Sequence, residues 1–502
     1  MPAIICTNIT NGELSFGAAD LLEWLREQSL PYRALWYLVS PEEAFMTNDG
    51  SEYIDMANIT VPAFRNLIII QGIFLLIVGR KILHPSEVIV NVGQGMIMQV
   101  IRLIVGLGEF YLYDQVYNRW HWIDASRWDQ WDTWIFGAIF FDLCFYVFHR
   151  MGHEVHLFWA MHQVHHSSEE YNLSVSLRLS HFHDFVHFGL IYVPLALFGV
   201  PTKVCFIHKT LNLLFQFWLH SEYCPKLGPI EWIFITPSHH RVHHGRNTKY
   251  LDRNYGGFLV IWDRLFGTYQ EEEETPSYGI TKQINTFDTF YIQLHQFREI
   301  YRNVRDREGY RNKLYSIIKG PGWEPGSPWT GWTHKVPPTK PERPRFRAQI
   351  SLFWVGYTWL QFAPFAAVYG EVVQYYHDMH RSSLVFILVY MYAFLEALGF
   401  IFDKRWFAPH FEVVRCVIFI LMRPIFLEVY SVAHATPLKE SLISISYALT
   451  AVSGIVCAFV AIYSYYRNQG EKATRQQEEV SNVIKLGREV TQEMSKEQRK
   501  QD

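Results

Sequence analysis

The sequence has few charges and no paired cysteines. Only 19% of its 502 residues are Asp, Glu, Lys or Arg, and the formal net charge is −3. A chain this weakly charged lacks the basic surface that favours nucleic acid, so no nucleic-acid partner is expected. The absence of any Cys-x-x-Cys pair argues against a disulfide framework or a zinc ribbon and predicts reduced thiols. The six cysteines are Cys6, Cys144, Cys205, Cys224, Cys416 and Cys457.

Motifs for a bound electron carrier are missing as well. Neither Gly93-x-Gly95 nor Gly106-x-Gly108 is followed by the third glycine of a dinucleotide-binding loop, and there is no Cys-x-x-Cys-His for haem attachment. Electrons for any redox chemistry must therefore come from outside the chain. The first residues are polar and mixed, unlike a cleavable signal, so membrane insertion is expected to rely on the first apolar run.

Apolar residues, in contrast, are abundant and grouped in long runs. Hydrophobic residues make up 49% of the chain and aromatic residues 17%. The runs approach the roughly 20 residues that a helix needs to cross a bilayer, and they predict an all-α, polytopic integral-membrane helical bundle. The alternative, buried core helices of a large soluble enzyme, fits poorly with the number and length of the C-terminal runs. The runs span residues 61–79, 96–113, 134–148, 185–200, 204–219, 350–369, 384–402, 413–432 and 442–466.

A stretch rich in proline and glycine divides the chain. Residues 321–346 accumulate helix breakers without apolar periodicity, as expected of a loop or linker. We therefore expect an N-terminal, partly helical region at 1–59 and a membrane-embedded catalytic domain with the histidine clusters at 60–320. C-terminal transmembrane helices are expected at 347–466, followed by a charged, solvated cytosolic tail at 467–502.

Three clusters of histidine predict a metal site. In a helix, side chains three and four residues apart share a face, so each cluster can present its rings together. Neutral imidazole is a preferred ligand of iron, zinc and copper, whereas packing alone would desolvate many polar rings without compensation. The clusters are His149 with His153, His162 with His165 and His166, and His240 with His243 and His244.

Eight clustered imidazoles exceed the ligand set of one metal. A catalytic zinc takes about three protein ligands, so eight divide naturally between two metals. With imidazole ligands and no set of thiolates, two irons that activate O₂ fit best, although ligand chemistry by itself also allows zinc or manganese. A metal-binding membrane transporter or sensor is an alternative of a different class. Its polar groups would more typically be spread over several depths than gathered in dense clusters.

Two acidic residues accompany the first cluster. Asp142 lies one heptad before His149, so a continuous helix would place Asp142, His149, His153 and His156 along one stripe. We expect Asp142 either to accept a hydrogen bond from a ligating imidazole, which would orient the ring, or to pair with a neighbouring helix. Glu154, beside His153, is an outer acceptor, a proton carrier or a surface acid.

The clusters and the motifs around them resemble a known family. Their order and the segment TPSHHRVHH at 236–244 resemble the integral-membrane fatty acid hydroxylase and sterol desaturase superfamily. Within it, the likeness is to the alkylglycerol monooxygenase family. The segments that carry this likeness are HRMGHE at 149–154, EYNLS at 170–174, FQFWLH at 215–220, NYGG at 254–257 and WDRLFGT at 262–268. The resemblance runs from about residue 60 to residue 322 and, more loosely, through the last helices.

The resemblance implies roles for the matching positions. It implies that the eight clustered histidines bind two non-haem irons and that Glu154 is important for function; Glu154 and Asp142 are our candidate catalytic residues. His220 occupies a place where relatives often have a further ligand pair, but its neighbour four residues back is Gln216, and it is the ninth candidate ligand. His239 is expected beside the ligands or at a phosphate. A polar helix end near the interface is favoured over ligation for His181, His183 and His187.

The resemblance also implies the reaction. Members of the family use O₂ and tetrahydrobiopterin to hydroxylate the ether-linked carbon of a 1-O-alkylglycerol, and the hemiacetal collapses to a fatty aldehyde and glycerol or a lyso-lipid. The implied partners are the ether lipid, O₂ and the bilayer, with a pterin-recycling enzyme involved only indirectly. The rival within the enzyme class is a sterol or fatty-acyl hydroxylase or desaturase with a different electron donor.

The implied location is the endoplasmic reticulum membrane, with a multi-pass chain and an active site that faces the cytosol. Lys and Arg concentrate in cytosolic loops, and four of them follow the third cluster, which agrees loosely with this orientation. These residues are Arg241, Arg246, Lys249 and Arg253.

Overall fold

Most of the residues that the structure describes lie in helices. The computed structural model describes residues 18–44, 56–80, 83–105, 108–123, 130–182, 190–339, 345–425, 441, 444–464 and 467. These residues contain no β-strand, only isolated bridges between Phe234 and Leu259 and between Gly322 and Gly331. The predicted all-α fold class is therefore confirmed.

The α-helices range from a single turn to seven turns. In chain order they are Ala18–Ala34, Pro41–Ala44, Met56–Ile59, Val61–Ile77, Pro85–Val105, Gly108–Trp120, Trp131–Glu154, His156–His166, Val193–Leu197, Thr202–Leu219, Pro237–His243, Ile261–Phe266, Thr289–Asp306, Tyr310–Ile318, Leu352–Tyr375, Arg381–Phe402, Ala408–Leu421 and Ser444–Ser464. Short 3₁₀ turns lie at Leu173–Leu177, Leu190–Tyr192, Gly228–Trp232, Thr333–Lys335 and Tyr376–Asp378.

Several of these helices are long and apolar enough to cross a membrane. By length and composition they are Pro85–Val105, Trp131–Glu154, Arg381–Phe402 and Ser444–Ser464, and Val61–Ile77 is apolar but shorter. A helix of about 20 residues is about 30 Å long, which matches the hydrocarbon core of a bilayer. The predicted polytopic bundle is confirmed, and the part of the chain that the structure describes contains fewer candidate spans than the sequence has apolar runs.

Some apolar runs do not form a single spanning helix. The run at 96–113 is shared between helix Pro85–Val105 and helix Gly108–Trp120. The run at 204–219 forms a long helix, Thr202–Leu219, but it buries Lys209 and other polar side chains against the protein. Hydropathy counts residues and takes no account of the faces that they occupy. It therefore cannot distinguish a lipid-facing helix from one enclosed by protein.

Helix Trp131–Glu154 carries the first cluster and forms the wall of the site. It packs against helix Thr202–Leu219 and helix His156–His166. Phe141 and Leu211 lie in the hydrophobic core beneath the cluster and are fully buried. The histidines therefore stand at the end of an apolar layer, and packing fixes the two helices that carry them.

A sharp break separates the first two clusters and corrects one expectation. Helix Trp131–Glu154 ends at Val155, which is extended (φ −122°, ψ 120°), and a new helix begins at His156. The predicted stripe therefore ends at His153. The ring of His156 turns away, with Nδ1 2.9 Å from the carbonyl of Ser316 and Nε2 2.7 Å from the amide of Gln296.

The C-terminal helices pack on the catalytic part through helix Pro85–Val105, which contacts helix Arg381–Phe402. The close approach of these two helices depends on glycine, because a Cβ at Gly93 would lie 2.6 Å from Cδ1 of Leu395. The proline-rich segment is tied to the site as well, since Trp329 donates a hydrogen bond of 2.6 Å to the carbonyl of Glu154. The division of the chain at residues 321–346 stays a prediction.

Candidate metal centre

Nine histidines gather into two groups, each with the geometry of a metal site. Every member offers one ring nitrogen, and within a group these nitrogens all lie within 4.8 Å of one another. The first group is His149, His153, His162, His166 and His243, and the second group is His165, His220, His240 and His244.

The two groups do not coincide with the three sequence clusters. His162 and His166, four residues apart on one helical face, belong to the first group, whereas His165 points to the second. The third cluster divides the other way, with His240 and His244 in the second group and His243 in the first. Each short helix therefore lies between the groups and supplies candidate ligands to both.

His220, the uncertain ninth candidate, lies inside the second group. Its Nε2 is 3.1 Å from Nε2 of His165 and 3.2 Å from Nε2 of His240. The ring is held by its own helix end, because its Nδ1 donates to the carbonyl of Gln216 at 2.9 Å. The glutamine that replaces an expected histidine thus contributes a backbone contact to His220.

The ring nitrogens of the first group lie close enough together to bind one metal ion. In the first group, Nε2 of His162 lies 3.0 Å from Nε2 of His149 and 3.1 Å from Nε2 of His166. Two nitrogens bound at roughly 2.1 Å are about 3.0 Å apart at a right angle and about 3.4 Å apart in a tetrahedron. The observed distances are therefore short enough for these ring nitrogens to share one metal ion.

Neutral rings and unpaired nitrogens also fit bound metals. The Nε2 atoms of His153 and His243 are buried without a hydrogen-bond partner in the described part of the chain. Burial lowers the pKa of His162 and His243 well below the usual histidine value and that of His220 to about 4. Neutral imidazole is the form that binds metal, so the residues present fit a pair of cations.

The loop after the third cluster, residues 245–260, orients the imidazole rings of the first group. Nδ1 of His149 donates to the carbonyl of Tyr255 at 2.8 Å, and Nδ1 of His243 donates to the carbonyl of Arg253 at 3.0 Å. Nδ1 of His153 lies 3.5 Å from the carboxylate of Asp252. Such contacts fix the tautomer and aim the lone pair of Nε2 at the centre.

The conformation of this loop is unusual and is held by its own contacts. Asp252 and Asn254 have positive φ values of 58° and 55°, a region that costs energy for residues other than glycine. Asn254 compensates by donating to the carbonyl of His239 at 3.1 Å. Gly257 permits the close approach of the loop, because a Cβ there would lie 2.6 Å from Oδ1 of Asn212.

Asp142 holds the same loop and does not contact the imidazoles. Its carboxylate accepts hydrogen bonds from the backbone N–H groups of Phe258 and Leu259, each at 2.9 Å, and from the Asn212 amide at 2.8 Å. The indole of Trp262 is a fourth donor at 2.9 Å. Of the two expectations for Asp142, the structure corresponds to pairing with neighbouring elements, and Asp142 acts on the ligands only through the loop.

Glu154 lies outside both histidine groups. Its carboxylate forms an ion pair of 2.8 Å with Arg150, one helical turn earlier. Both side chains line a cavity of about 370 Å³ on the outer face of helix Trp131–Glu154, together with Tyr146 and Phe266. If Glu154 acts as the functional acid that we expect, it acts in this cavity and not among the clustered imidazoles.

His239 and His181 lie away from the two groups. His239 caps its own helix, where its Nδ1 accepts from the backbone N–H of Thr236 at 3.3 Å. His181 is buried, with Nε2 3.2 Å from the carbonyl of Gln94 and Nδ1 on the hydroxyl of Tyr392. It is therefore a core residue instead of an interfacial helix end. His183 and His187 lie outside the described residues.

Sequence reasoning missed two residues of the site. Asp252 is the carboxylate beside a ligand candidate, which was one of the two roles that we expected of Asp142. The hydroxyl of Tyr255 is buried without a partner among the described residues, while its ring lies 5.2 Å from that of His153. The only local signal was the NYGG segment, whose asparagine and glycines indicate an irregular backbone but not the residues that it faces.

Two family models match separate parts of the chain. The family described as fatty acid hydroxylase matches residues 134–268, which contain all nine histidines. The family described as alkylglycerol monooxygenase C-terminal domain matches residues 355–439, in the helices beyond the proline-rich segment.

Relatives cover most of the chain. Alkylglycerol monooxygenase of Homo sapiens is 35% identical over 435 residues, which is 86% of this chain and 94% of the human protein. The proteins of the same name from Xenopus tropicalis and Caenorhabditis elegans are 36% and 31% identical, over 78% and 76% of this chain and 87% and 79% of their own lengths. No solved structure matches the chain significantly.

Proposed function

This chain belongs to the alkylglycerol monooxygenase family, and we propose that it hydroxylates the ether-linked carbon of 1-O-alkylglycerol lipids with two irons, O₂ and tetrahydrobiopterin. That it is a membrane monooxygenase follows from the family and from its spanning helices. The metal, the reductant and the substrate are the proposed part.

The observation that carries the proposal is the pair of adjoining imidazole groups. The rings of His166 and His244, one from each group, stack with their centroids 4.3 Å apart. Five donors in the first group and four in the second leave open positions on two six-coordinate ions, as O₂-activating iron sites require. Bound iron would supply the activation of O₂ at these open positions.

The proposed reaction balances with an external two-electron donor. One oxygen atom enters a C–H bond of the ether carbon, and the other leaves as water with two electrons and two protons from the pterin. The hemiacetal then breaks its bond to the glycerol oxygen, which releases a fatty aldehyde and glycerol. The chain contributes apolar helices that keep water from the oxidant, and it carries no electron carrier motif of its own.

Residues around the groups would position the ligands for this chemistry. Asp252 and the carbonyls of Arg253 and Tyr255 orient three imidazoles of the first group. Asp142 and Asp263 hold the loop from both ends, the latter through the N–H groups of Tyr255 and Gly256 at 2.7 and 2.9 Å. We therefore propose Asp142 as a positioning residue, and Glu154 as an acid of the adjoining cavity.

We further propose a location in the endoplasmic reticulum membrane, with the histidine groups facing the cytosol. The Lys and Arg residues after the third cluster support this orientation, since positive residues concentrate in cytosolic loops. Two of these residues form ion pairs with the acidic run at 271–274: Arg241 pairs with Glu272, and Lys249 pairs with Glu273. Digestion of this loop by protease added outside sealed microsomes is expected, and protection of the loop would contradict the orientation.

The function can be tested on purified, detergent-solubilised protein. We expect about two irons per chain by elemental analysis, and release of long-chain aldehyde from an alkylglycerol only when both tetrahydrobiopterin and O₂ are present. One zinc per chain would overturn the mechanism. Sterol oxidation driven by a cytochrome, without aldehyde release, would favour the sterol or fatty-acyl hydroxylase alternative.

A transporter or sensor remains the candidate from another class. It would be favoured if substitution of the histidines abolished metal transport or signalling while the intact protein consumed no O₂ with any lipid. A parallel transport assay in proteoliposomes with iron and zinc separates the two outcomes.

A further inference from the structure

A second cavity, of about 380 Å³, lies beside the second histidine group, and we propose that it is a head-group site that binds the phosphate of an ether phospholipid through Arg80. The inference rests on the proposed function, because it assumes that ether lipids are the substrates. The cavity is lined by Gln71, Leu75, Gly79, Arg80, Leu83, Glu170, Tyr171, Asn172, Glu222, Tyr223 and Arg345.

The acidic residues of this cavity are already neutralised. Arg345 bridges Glu170 and Glu222, with N···O distances of 2.8 and 2.7 Å. Arg347 adds a second contact to Glu170 at 2.5 Å. Both carboxylates that line the cavity are therefore already engaged in ion pairs with guanidinium groups other than that of Arg80.

Arg80 is the cation that has no acidic partner in the described part of the chain. Its guanidinium carbon lies 5.7 Å from the centre of the Tyr223 ring, and no carboxylate contacts it. Arg80 is therefore the lining cation that remains available to an anion. A guanidinium binds phosphate in a bidentate manner, which makes a phosphate the matching ligand.

Two side-chain amides add further hydrogen-bond donors to this cavity. The side-chain oxygen of Gln71 accepts from the backbone of Leu173 at 3.1 Å, and that of Asn172 accepts from the backbone of Ser174 at 3.0 Å. Both amide nitrogens have no hydrogen-bond partner among the described residues. Together with Arg80 they offer donors to phosphate and glycerol oxygens.

The position of Arg80 at the end of an apolar helix places it at head-group depth. Helix Val61–Ile77 exposes Ile73, Phe74 and Ile77 on its outer face, as a lipid-facing helix does. Gly79, with φ of 63°, ends the apolar stretch immediately before Arg80. Arginines that follow the last apolar turn extend to the phosphate layer.

One tyrosine separates this cavity from the second histidine group. Tyr171 lines the cavity, and its ring lies 5.6 Å from that of His220 and 5.3 Å from that of His244. In a 1-O-alkyl glycerophospholipid, six bonds separate the phosphorus from the ether carbon, roughly 7 Å when extended. This length exceeds the distances between the Tyr171 ring and the rings of the second group, so a phosphate bound on the cavity side of Tyr171 can be joined to an ether carbon near that group.

The cavity beside Glu154 provides an internal comparison. Its cation, Arg150, is already paired with Glu154, and most of the other side chains that line it are apolar. It therefore offers no unpaired cation to a phosphate. Of the two cavities, only the one at Arg80 combines an unpaired cation with amide donors.

The test is a binding experiment without turnover. The metal-loaded protein, kept free of O₂ and pterin, is titrated with 1-O-hexadecylglycerol 3-phosphate and, separately, with uncharged 1-O-hexadecylglycerol. R80Q should weaken binding of the phosphate lipid roughly 10- to 100-fold, the effect of losing a charged hydrogen bond. Binding of the uncharged lipid should change less than about twofold, within the effect of a surface substitution.

Two further variants control for folding and for general charge. R80K keeps the positive charge and should retain much of the binding, while R65Q removes an exposed arginine at the other end of the same helix and should change neither affinity. Equal weakening of both lipids by R80Q, or no weakening, would refute the site. Full displacement of the phosphate lipid by millimolar inorganic phosphate would indicate a free-anion site and would also overturn the proposal.

Failure of the proposed function has a different signature. If the chain does not cleave ether lipids, pterin-dependent aldehyde release from 1-O-hexadecylglycerol is absent in the wild type, whatever the binding results. If only the head-group site is wrong, aldehyde release from 1-O-hexadecylglycerol persists in the wild type. R80Q then does not weaken binding of the phosphate lipid more than binding of the uncharged lipid.

Discussion

Two buried polar regions of this chain are built in opposite ways. In the C-terminal helices, Arg415 donates to Glu412 at 2.8 and 2.6 Å, to Tyr390 at 2.6 Å and to Gln361 at 2.7 Å, and Gln361 donates to Ser453 at 2.7 Å. The charges cancel and each guanidinium nitrogen has a partner. In the histidine centre, nine rings converge and buried nitrogens such as Nε2 of His243 have none among the described residues.

The buried polar atoms of the Arg415 network are satisfied within the protein and stabilise helix packing, whereas those of the histidine centre require a bound ligand. A satisfied ion pair in a low-dielectric interior fixes the register of the helices that it joins. An unsatisfied buried nitrogen costs about 1–3 kcal/mol, so several of them persist only where a bound group satisfies them. The histidine centre is thus the functional region, and the Arg415 network is the structural one.

The largest effect is expected from removal of a ligand candidate in either group. H165A and H243A should each reduce aldehyde release to background and lower the iron content, because an octahedral site loses one of its few protein bonds. H181A, outside both groups, should leave activity and iron largely intact. Elemental analysis and the pterin-dependent assay measure both. Full iron in H243A would contradict its assignment as a ligand.

Breaking the Arg415 network should affect stability and leave the chemistry unchanged. R415M leaves Glu412 buried without its partner, which costs about 3–5 kcal/mol in comparable cases. Thermal unfolding in detergent should therefore begin at a lower temperature, while iron per folded chain stays at the wild-type level. The double variant R415M/E412L removes both charges and should recover much of the stability. Loss of iron in R415M without a change in unfolding would reverse the comparison.

A smaller effect is expected at Asp252, which touches the histidine centre from outside. D252N removes the carboxylate beside His153, and loss of such outer contacts lowers metal affinity by roughly 10- to 100-fold. Competition with a chelator, followed by elemental analysis, measures the change. The exposed acid Glu308 provides the control, E308Q, which should retain iron as the wild type does. Unchanged chelator resistance in D252N would remove Asp252 from the site.

The smallest expected effect is a pH dependence of the metal-free protein. Burial lowers the pKa of His220 to about 4, so the unfolded chain binds a proton there more readily than the folded chain. The stability from this group is present above the unfolded pKa of about 6.5 and is lost as the pH falls towards the folded pKa. Between pH 7 and pH 6, the metal-free wild type should lose about 0.7 kcal/mol more than metal-free H220Q. Equal losses would show that His220 is not buried as a neutral ring.

Local periodicity made part of this site predictable. The i, i+4 pairs His149 and His153, His162 and His166 lie together as the helical repeat requires. The apolar runs predicted the helical membrane class for the same reason, since both signals depend on residues close in sequence. Asp252 was missed because its role depends on a loop with left-handed residues, and a sequence pattern does not give the direction of such a loop.

The sequence by itself determined the all-helical membrane class, the family and eight of the nine gathered histidines, because ligand type and helical spacing are local properties. Only the tertiary structure divided the clusters into two groups, brought His220 into the second group and directed Asp142 to the loop at Phe258. Those outcomes depend on where helices end and how they pack. The break at Val155 and the contact between helices Trp131–Glu154 and Thr202–Leu219 arise from interactions between residues far apart in sequence.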